Sequence, residues 1–202
     1  MKIRSVYLFI ALLVTLGLYG QKDYENGYVV KPENDTIYGK IKGSKPEPFP
    51  KLYKKIRFKE QGSLFTKRYT PDQIKGYKAG ISVYESIGLE TENRLFKTRY
   101  LIAHSCRISF LKVVHRGKLT YYHWEYLDSE SQTIDYIPLF HIEGRDEMVR
   151  VTQGILGLKR EALSEYFNDC PTLVQKIEKR EIRTPEEVII LYGNICKRND
   201  NF

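Results

Sequence analysis

The chain has 202 residues with 33 Lys or Arg against 25 Asp or Glu, a net charge of +8, and it is 42% hydrophobic and 13% aromatic. That length fits one domain with room for a small appendage, and the composition excludes a disordered tail, a collagen-like repeat and a low-complexity segment. A packed core is expected, and the use of the excess positive charge is the question left open.

Lys2 and Arg4 form a short basic start, and Val6 to Leu16 is an uncharged apolar run of 11 residues. A basic start, an apolar run of roughly 7–15 residues and a small residue at the cut describe a secretory signal peptide, here residues 1–20, with cleavage expected after Gly20. A membrane-spanning helix needs about 20 apolar residues. The uncharged stretch from Ser5 to Gln21 has 17, of which Gly17, Tyr19, Gly20 and Gln21 suit a membrane poorly, and no Cys lies at the cut to carry a lipid. Loss of Lys2 and Arg4 lowers the net charge to +6. Residues 40–59 hold eight basic side chains against Glu47 alone, so this segment carries +7 and the rest of the mature chain is close to neutral.

Residues 21–151 read as an antiparallel β domain. Residues 27–31 and 36–42 form a hairpin about Pro32-Glu-Asn-Asp35, where Asn34 and Asp35 suit turn geometry. Three prolines in residues 43–50 forbid a central strand and imply a loop. In residues 54–59, Ile56 and Phe58 alternate with Lys55, Arg57 and Lys59, which predicts a half-buried strand with a cationic outer stripe. Residues 64–69 follow, then short strands over 74–77 and 81–87 about Lys78-Ala-Gly80. Residues 95–104, 106–115, 119–126 and 133–142 are the longer strands, the last of them closing the meander. So many strands at regular turn spacing predict an α+β protein whose antiparallel sheet is curled as a barrel or sandwich.

Residues 152–202 change period and predict three short helices packed on the sheet. Leu158, Ala162, Leu163, Tyr166 and Phe167 share the first helical face, and Pro171 opens the second helix. The third begins at Thr184-Pro-Glu-Glu187, a capping box with Pro at the first helical position. Cys170 and Cys196 both fall in this unit, and a Cys170–Cys196 disulfide is expected; it would close a loop worth about 3–4 kcal/mol. Cys106 reads as a buried small side chain. His104 and Cys106 share a strand face, but a zinc site needs three or four ligands, and neither His115 nor His123, placed opposite Phe110, reaches them. No metal or cofactor is expected.

No phosphate-binding glycine loop, G-x-S-x-G or H-E-x-x-H occurs. Glu125 and Asp135 are the carboxylates that a glycan or peptide hydrolase could draw on, and both read more simply as outward strand residues. The basic segment is the strongest feature. Lys40, Lys42, Lys55, Arg57 and Lys59 could contact anionic lipid, lipopolysaccharide phosphates, acidic glycans or another envelope protein. Lysines on a strand face also oppose strand-to-strand aggregation. Nucleic acid is disfavoured, because export removes that partner.

The signal ending in Gly20-Gln21, Asn34-Asp-Thr-Ile-Tyr-Gly-Lys-Ile41, Tyr69-Thr-Pro-Asp-Gln-Ile-Lys-Gly-Tyr77, Tyr84-Glu-Ser86, Phe110-Leu-Lys-Val113 and Asn168-Asp-Cys-Pro-Thr-Leu173 with Cys196 together resemble a family of uncharacterised exported proteins of Bacteroidota. The likeness covers most of the mature chain. It implies a Gram-negative envelope location, periplasmic or at the outer envelope, and implies no activity; Asn34 stands where Gly is expected in the first turn. The sequence thus predicts a non-catalytic exported protein with a binding or structural role, a carboxylate-based hydrolase being the alternative and nucleic-acid binding the weaker one.

Overall fold

The computed structural model describes residues 24–42, 55–94, 97–103, 107–128, 130–131 and 133–196. The expected signal peptide and the proline-rich loop lie outside the described residues, as do His104 and Cys106. The strands are β1 (Tyr24–Val30), β2 (Thr36–Lys42), β3 (Ile56–Glu60), β4 (Lys67–Tyr69), β5 (Gly76–Ala79), β6 (Ser82–Arg94), β7 (Lys97–Ile102), β8 (Ile108–His115), β9 (Leu119–Leu127), β10 (Ile134–Ile142) and β11 (Glu147–Arg150). A 3-10 turn at Gly154–Leu156 leads to α1 (Arg160–Tyr166), α2 (Pro171–Glu178) and α3 (Pro185–Ile195).

All eleven strands form one antiparallel sheet, and six of them, in the order β6-β7-β11-β10-β9-β8, return to β6 as a closed barrel. The architecture is α+β and barrel-like, and a sandwich is excluded because the ring closes on itself. Two expectations are corrected. Residue 142 does not end the meander, since β11 follows and supplies the pairing to β7 that completes the ring. The strand beginning near Ile81 does not stop at Ile87 but runs on through Gly88 to Arg94. Gly88 is tolerated in mid-strand because a Cβ there would meet the Ala103 carbonyl oxygen at 2.1 Å, so the close approach of β7 requires glycine.

The sheet forks at β6. Ser86 N donates to Lys75 O just before β5, and Gly88 O accepts from Ala103 N beyond β7, both on one edge; Leu89 N donates to Arg107 O on the other, toward β8. The first half of β6 therefore lies between β8 of the ring and an arm, β5-β1-β2-β3-β4, while the second half pairs with β7. Asn34 takes the left-handed conformation, φ 71°, in the β1–β2 turn where glycine was expected, and its Oδ1 accepts from Lys75 Nζ at 2.7 Å.

Alternation along the strands creates three cores. Leu89, Tyr100, Leu111, Tyr122, Leu139 and Met148 fill the barrel. Phe140, Ile142, Val149 and Val151 point outward from the ring and are covered by Leu163, Phe167, Leu173, Ile177 and Val188 of the helices, so helices and barrel share one core. Val29, Ile41, Ile56, Phe58, Tyr69, Ile74 and Tyr77 lie beneath the arm, joined there by Phe110 of β8.

Tyr166 fixes α1 to the barrel, its hydroxyl accepting from Ile142 N at 3.0 Å and donating to Glu147 O at 3.1 Å. Burial pushes that phenol up to about 12. At α3, Thr184 Oγ1 accepts from Glu187 N while the Glu187 carboxylate accepts from Thr184 N, forming the capping box that the sequence predicts. Cys170, ahead of α2, and Cys196, at the end of α3, are disulfide-bonded with Cα atoms 5.7 Å apart.

Candidate functional site: a cationic face on the arm

Strand register decides which basic residues meet. On β2, Lys40 and Lys42 have the parity of Tyr38; on β3, Arg57 and Lys59 have the parity opposite to buried Ile56 and Phe58. Lys40 pairs with Lys59 and Lys42 with Arg57, so these four side chains share one face. Lys55 stands exposed one residue before β3.

The face is wider than the sequence segment. Arg57 is also opposite Arg68 on β4, and Lys78 of β5 is opposite Tyr28 of β1, which is in turn opposite Tyr38 of β2. Arg68 and Lys78 were missed because they lie outside the 40–59 segment and only cross-strand pairing adds them. The strand-like alternation about Arg68 held the signal for the first. Lys78 was read as part of a turn, although it lies in β5.

Like charges therefore sit directly opposite one another three times: Lys40 with Lys59, Lys42 with Arg57, and Arg57 with Arg68. Such pairs destabilise a sheet. Among the described residues of β1 to β5 no carboxylate is paired in register with these cations, because Glu25 and Glu60 have the opposite parity, although Glu60 borders the groove at the end of β3. The Glu60 carboxylate is instead paired with Lys67 at 3.1 Å on the other side.

The middle of the face is a groove of about 900 Å³ lined by Asn26, Tyr28, Tyr38, Lys40, Lys59 and Lys78, with Glu60 to Leu64 along one bank and Gly80 at the other. The Tyr28 and Tyr38 rings meet edge to face with centroids 5.9 Å apart. Lysines beside aromatic rings in a concave surface can hold an anion through charge while the rings cover its apolar part.

The carboxylates considered for hydrolysis do not come together. Glu125 is opposite Tyr136 and Asp135 is opposite Tyr126, so the pleat sends the two carboxylates to opposite faces of the β9–β10 pair. Each is also engaged: Glu125 takes the Lys112 ammonium at 3.6 Å and a hydrogen bond from the Tyr84 hydroxyl at 3.4 Å, and Asp135 accepts from the Tyr126 hydroxyl at 3.0 Å. Glu85, which sequence reasoning did not single out, faces the barrel interior. Its carboxylate accepts from the Tyr122 hydroxyl at 2.6 Å and is paired with Arg116 from the β8–β9 turn. Burial, with the Glu85 hydrogen bond second, pushes the Tyr122 phenol well above its ordinary range. A cleft of about 500 Å³ beside α1 carries charges of both signs, with Arg99 Nε donating to Glu147 at 3.2 Å within it.

His123 is opposite Lys112 and not Phe110, because His115 pairs with Tyr121 and the β8–β9 turn is therefore centred near Lys118 rather than on Arg116-Gly117. Its ring stacks on Tyr136 with centroids 3.8 Å apart. Burial first and the Lys112 charge second lower its imidazole to about 4, against a smaller opposing pull from Glu186. Among the described residues no group of three or more His, Cys, Asp or Glu is gathered as metal ligands, and no helix is long and apolar enough to cross a membrane.

No family model, no curated protein and no solved structure matches this chain.

Proposed function

We propose that this is an exported envelope protein, without catalytic activity, that uses the cationic face of its arm to hold a phosphate-bearing surface, either phospholipid or lipopolysaccharide. The reading takes residues 1–20 as a cleaved signal peptide and the mature chain as a resident of the periplasm or outer envelope, as its resemblance to exported proteins of Bacteroidota implies. The Cys170–Cys196 disulfide fits an oxidising compartment.

The observation that carries the proposal is the unrelieved stacking of like charges. A face kept only for solubility has both signs available at no loss, and mixing them would strengthen the sheet. Lys40, Lys42, Arg57, Lys59, Arg68 and Lys78 have no acid at any facing position. An external anion supplies the missing countercharge.

Replacing Lys55, Arg57 and Lys59 by Gln is the test. Each cation near an anionic membrane contributes roughly 1 kcal/mol, so the triple variant should bind phosphatidylglycerol vesicles or lipopolysaccharide about a hundredfold more weakly at low salt. The two ligands, assayed separately, identify the source of the phosphate, and wild-type binding to either should weaken as salt rises. Unchanged binding by the triple variant to both ligands refutes the proposal.

A further inference from the structure

The three most exposed large apolar side chains among the described residues are Ile81 at 98%, Leu64 at 87% and Phe65 at 80%. They occupy two turns. Leu64 and Phe65 lie at the tip of the β3–β4 hairpin, and Ile81 lies in the β5–β6 turn immediately after Gly80. Leu64 and Gly80 both line the cationic groove, so the two turns border it on opposite sides, and because β3 and β5 run antiparallel they leave the sheet at opposite strand ends.

Neither turn is loosely built. Ser63 N donates to Glu60 O at 3.0 Å, Phe65 N donates to Ser63 Oγ at 3.1 Å, and Gly62 takes φ 79° to make the bend. In the second turn Gly80, at φ 56°, donates its N–H to Asn26 O at 3.0 Å. Turn tips are ordinarily polar, because Gly, Asn, Asp and Ser suit both the geometry and the water. Here fixed turns hold Leu, Phe and Ile outward on both sides of a row of lysines. Tyr38, 63% exposed, stands between them with the amphipathic ring that suits a membrane interface.

A soluble polyanion satisfies the lysines and leaves these three side chains in water. A bilayer satisfies both, with phosphates at the level of the cations and hydrocarbon a few ångströms deeper. We infer that the arm docks on an anionic phospholipid bilayer, with Lys40, Lys59 and Lys78 against headgroup phosphates and Leu64, Phe65 and Ile81 inserted below the phosphate plane. This rests on the cationic-face reading above and adds the partner and the mode of contact.

The test compares wild type with Leu64→Ser/Phe65→Ser on vesicles of phosphatidylglycerol and phosphatidylcholine and, in parallel, on soluble polyphosphate. Both positions are exposed, so the variant should melt at the wild-type temperature. Insertion predicts at least a tenfold loss on vesicles and unchanged affinity for polyphosphate. A Phe65→Trp variant should show a vesicle-dependent blue shift, beyond any from Trp124, that acyl-brominated lipid quenches. If the double variant binds vesicles as wild type does, insertion is refuted while the cationic face stands. If wild type binds neither vesicles nor polyphosphate, the cationic-face reading falls and the inference falls with it.

Discussion

Arg57 has Lys42 on one side and Arg68 on the other, so Arg57→Glu turns two like-charge neighbours into two opposite-charge ones. A cross-strand charge pair is worth roughly 0.2–1 kcal/mol in either direction, and on an exposed face the lower half of that range applies. Removing two repulsions and adding two attractions should then stabilise the protein by about 1 kcal/mol at low ionic strength. For a chain of this size that is a rise in Tm of roughly 2–4 °C. Arg57→Gln, which only removes repulsion, should give about half as much. In 1 M salt the screening length falls to about 3 Å and the gain should vanish. The same Glu variant should bind anionic vesicles more weakly, so stability and binding move in opposite directions. Thermal melts at 20 mM and 1 M salt beside a vesicle assay measure both quantities. A Glu variant that melts at or below wild type at low salt would show that the cation rows carry no strain, and the case for a missing external countercharge would collapse.

Two further outcomes are expected. Converting Cys170 and Cys196 together to Ser opens a link between residues 26 apart in sequence, and loop-closure entropy puts the loss near 3 kcal/mol, readable as a lower denaturant midpoint that reductant reproduces in wild type. His123 is held neutral in the fold, with its imidazole lowered from 6.5 to about 4, so the unfolded chain takes up a proton first as pH falls and stability drops between those values. The full shift corresponds to roughly 3 kcal/mol; the ring is only half-buried, and about half of that is expected after solvent screening. His123→Gln should flatten the difference in stability between pH 6.5 and 4, and an unchanged acid slope would contradict the assigned environment.

Local chemistry made much of the fold legible. The alternation in residues 54–59, the capping box at Thr184 and the Pro171 helix start each depend on neighbours in sequence, and each appears in β3, α3 and α2. What depends on distant partners was not legible. The β6–β8 and β7–β11 pairings that close the ring leave no local trace, and short β11 was passed over. The strand expected over 81–87 stops short of Gly88, and only the approach of Ala103 explains a glycine in mid-strand. The β8–β9 turn is centred near Lys118 and not on Arg116-Gly117, which puts His123 opposite Lys112 and not Phe110. The candidate site divides the same way. The 40–59 charge cluster was visible as composition, but the pairing of its members, and the addition of Arg68 and Lys78, come from the sheet.

Closure of the ring gives ten of the eleven strands a neighbour on both sides and leaves β4 as the terminal strand of the described sheet. That strand is three residues long, and Lys67 and Arg68 are two of them. Proteins gathered on a two-dimensional surface reach local concentrations far above those in solution, where any open edge invites sheet growth from molecule to molecule. A terminus this short and this strongly cationic repels its own copy. The arm can therefore crowd against an anionic layer without seeding a fibril, and lengthening or neutralising β4 would remove that protection.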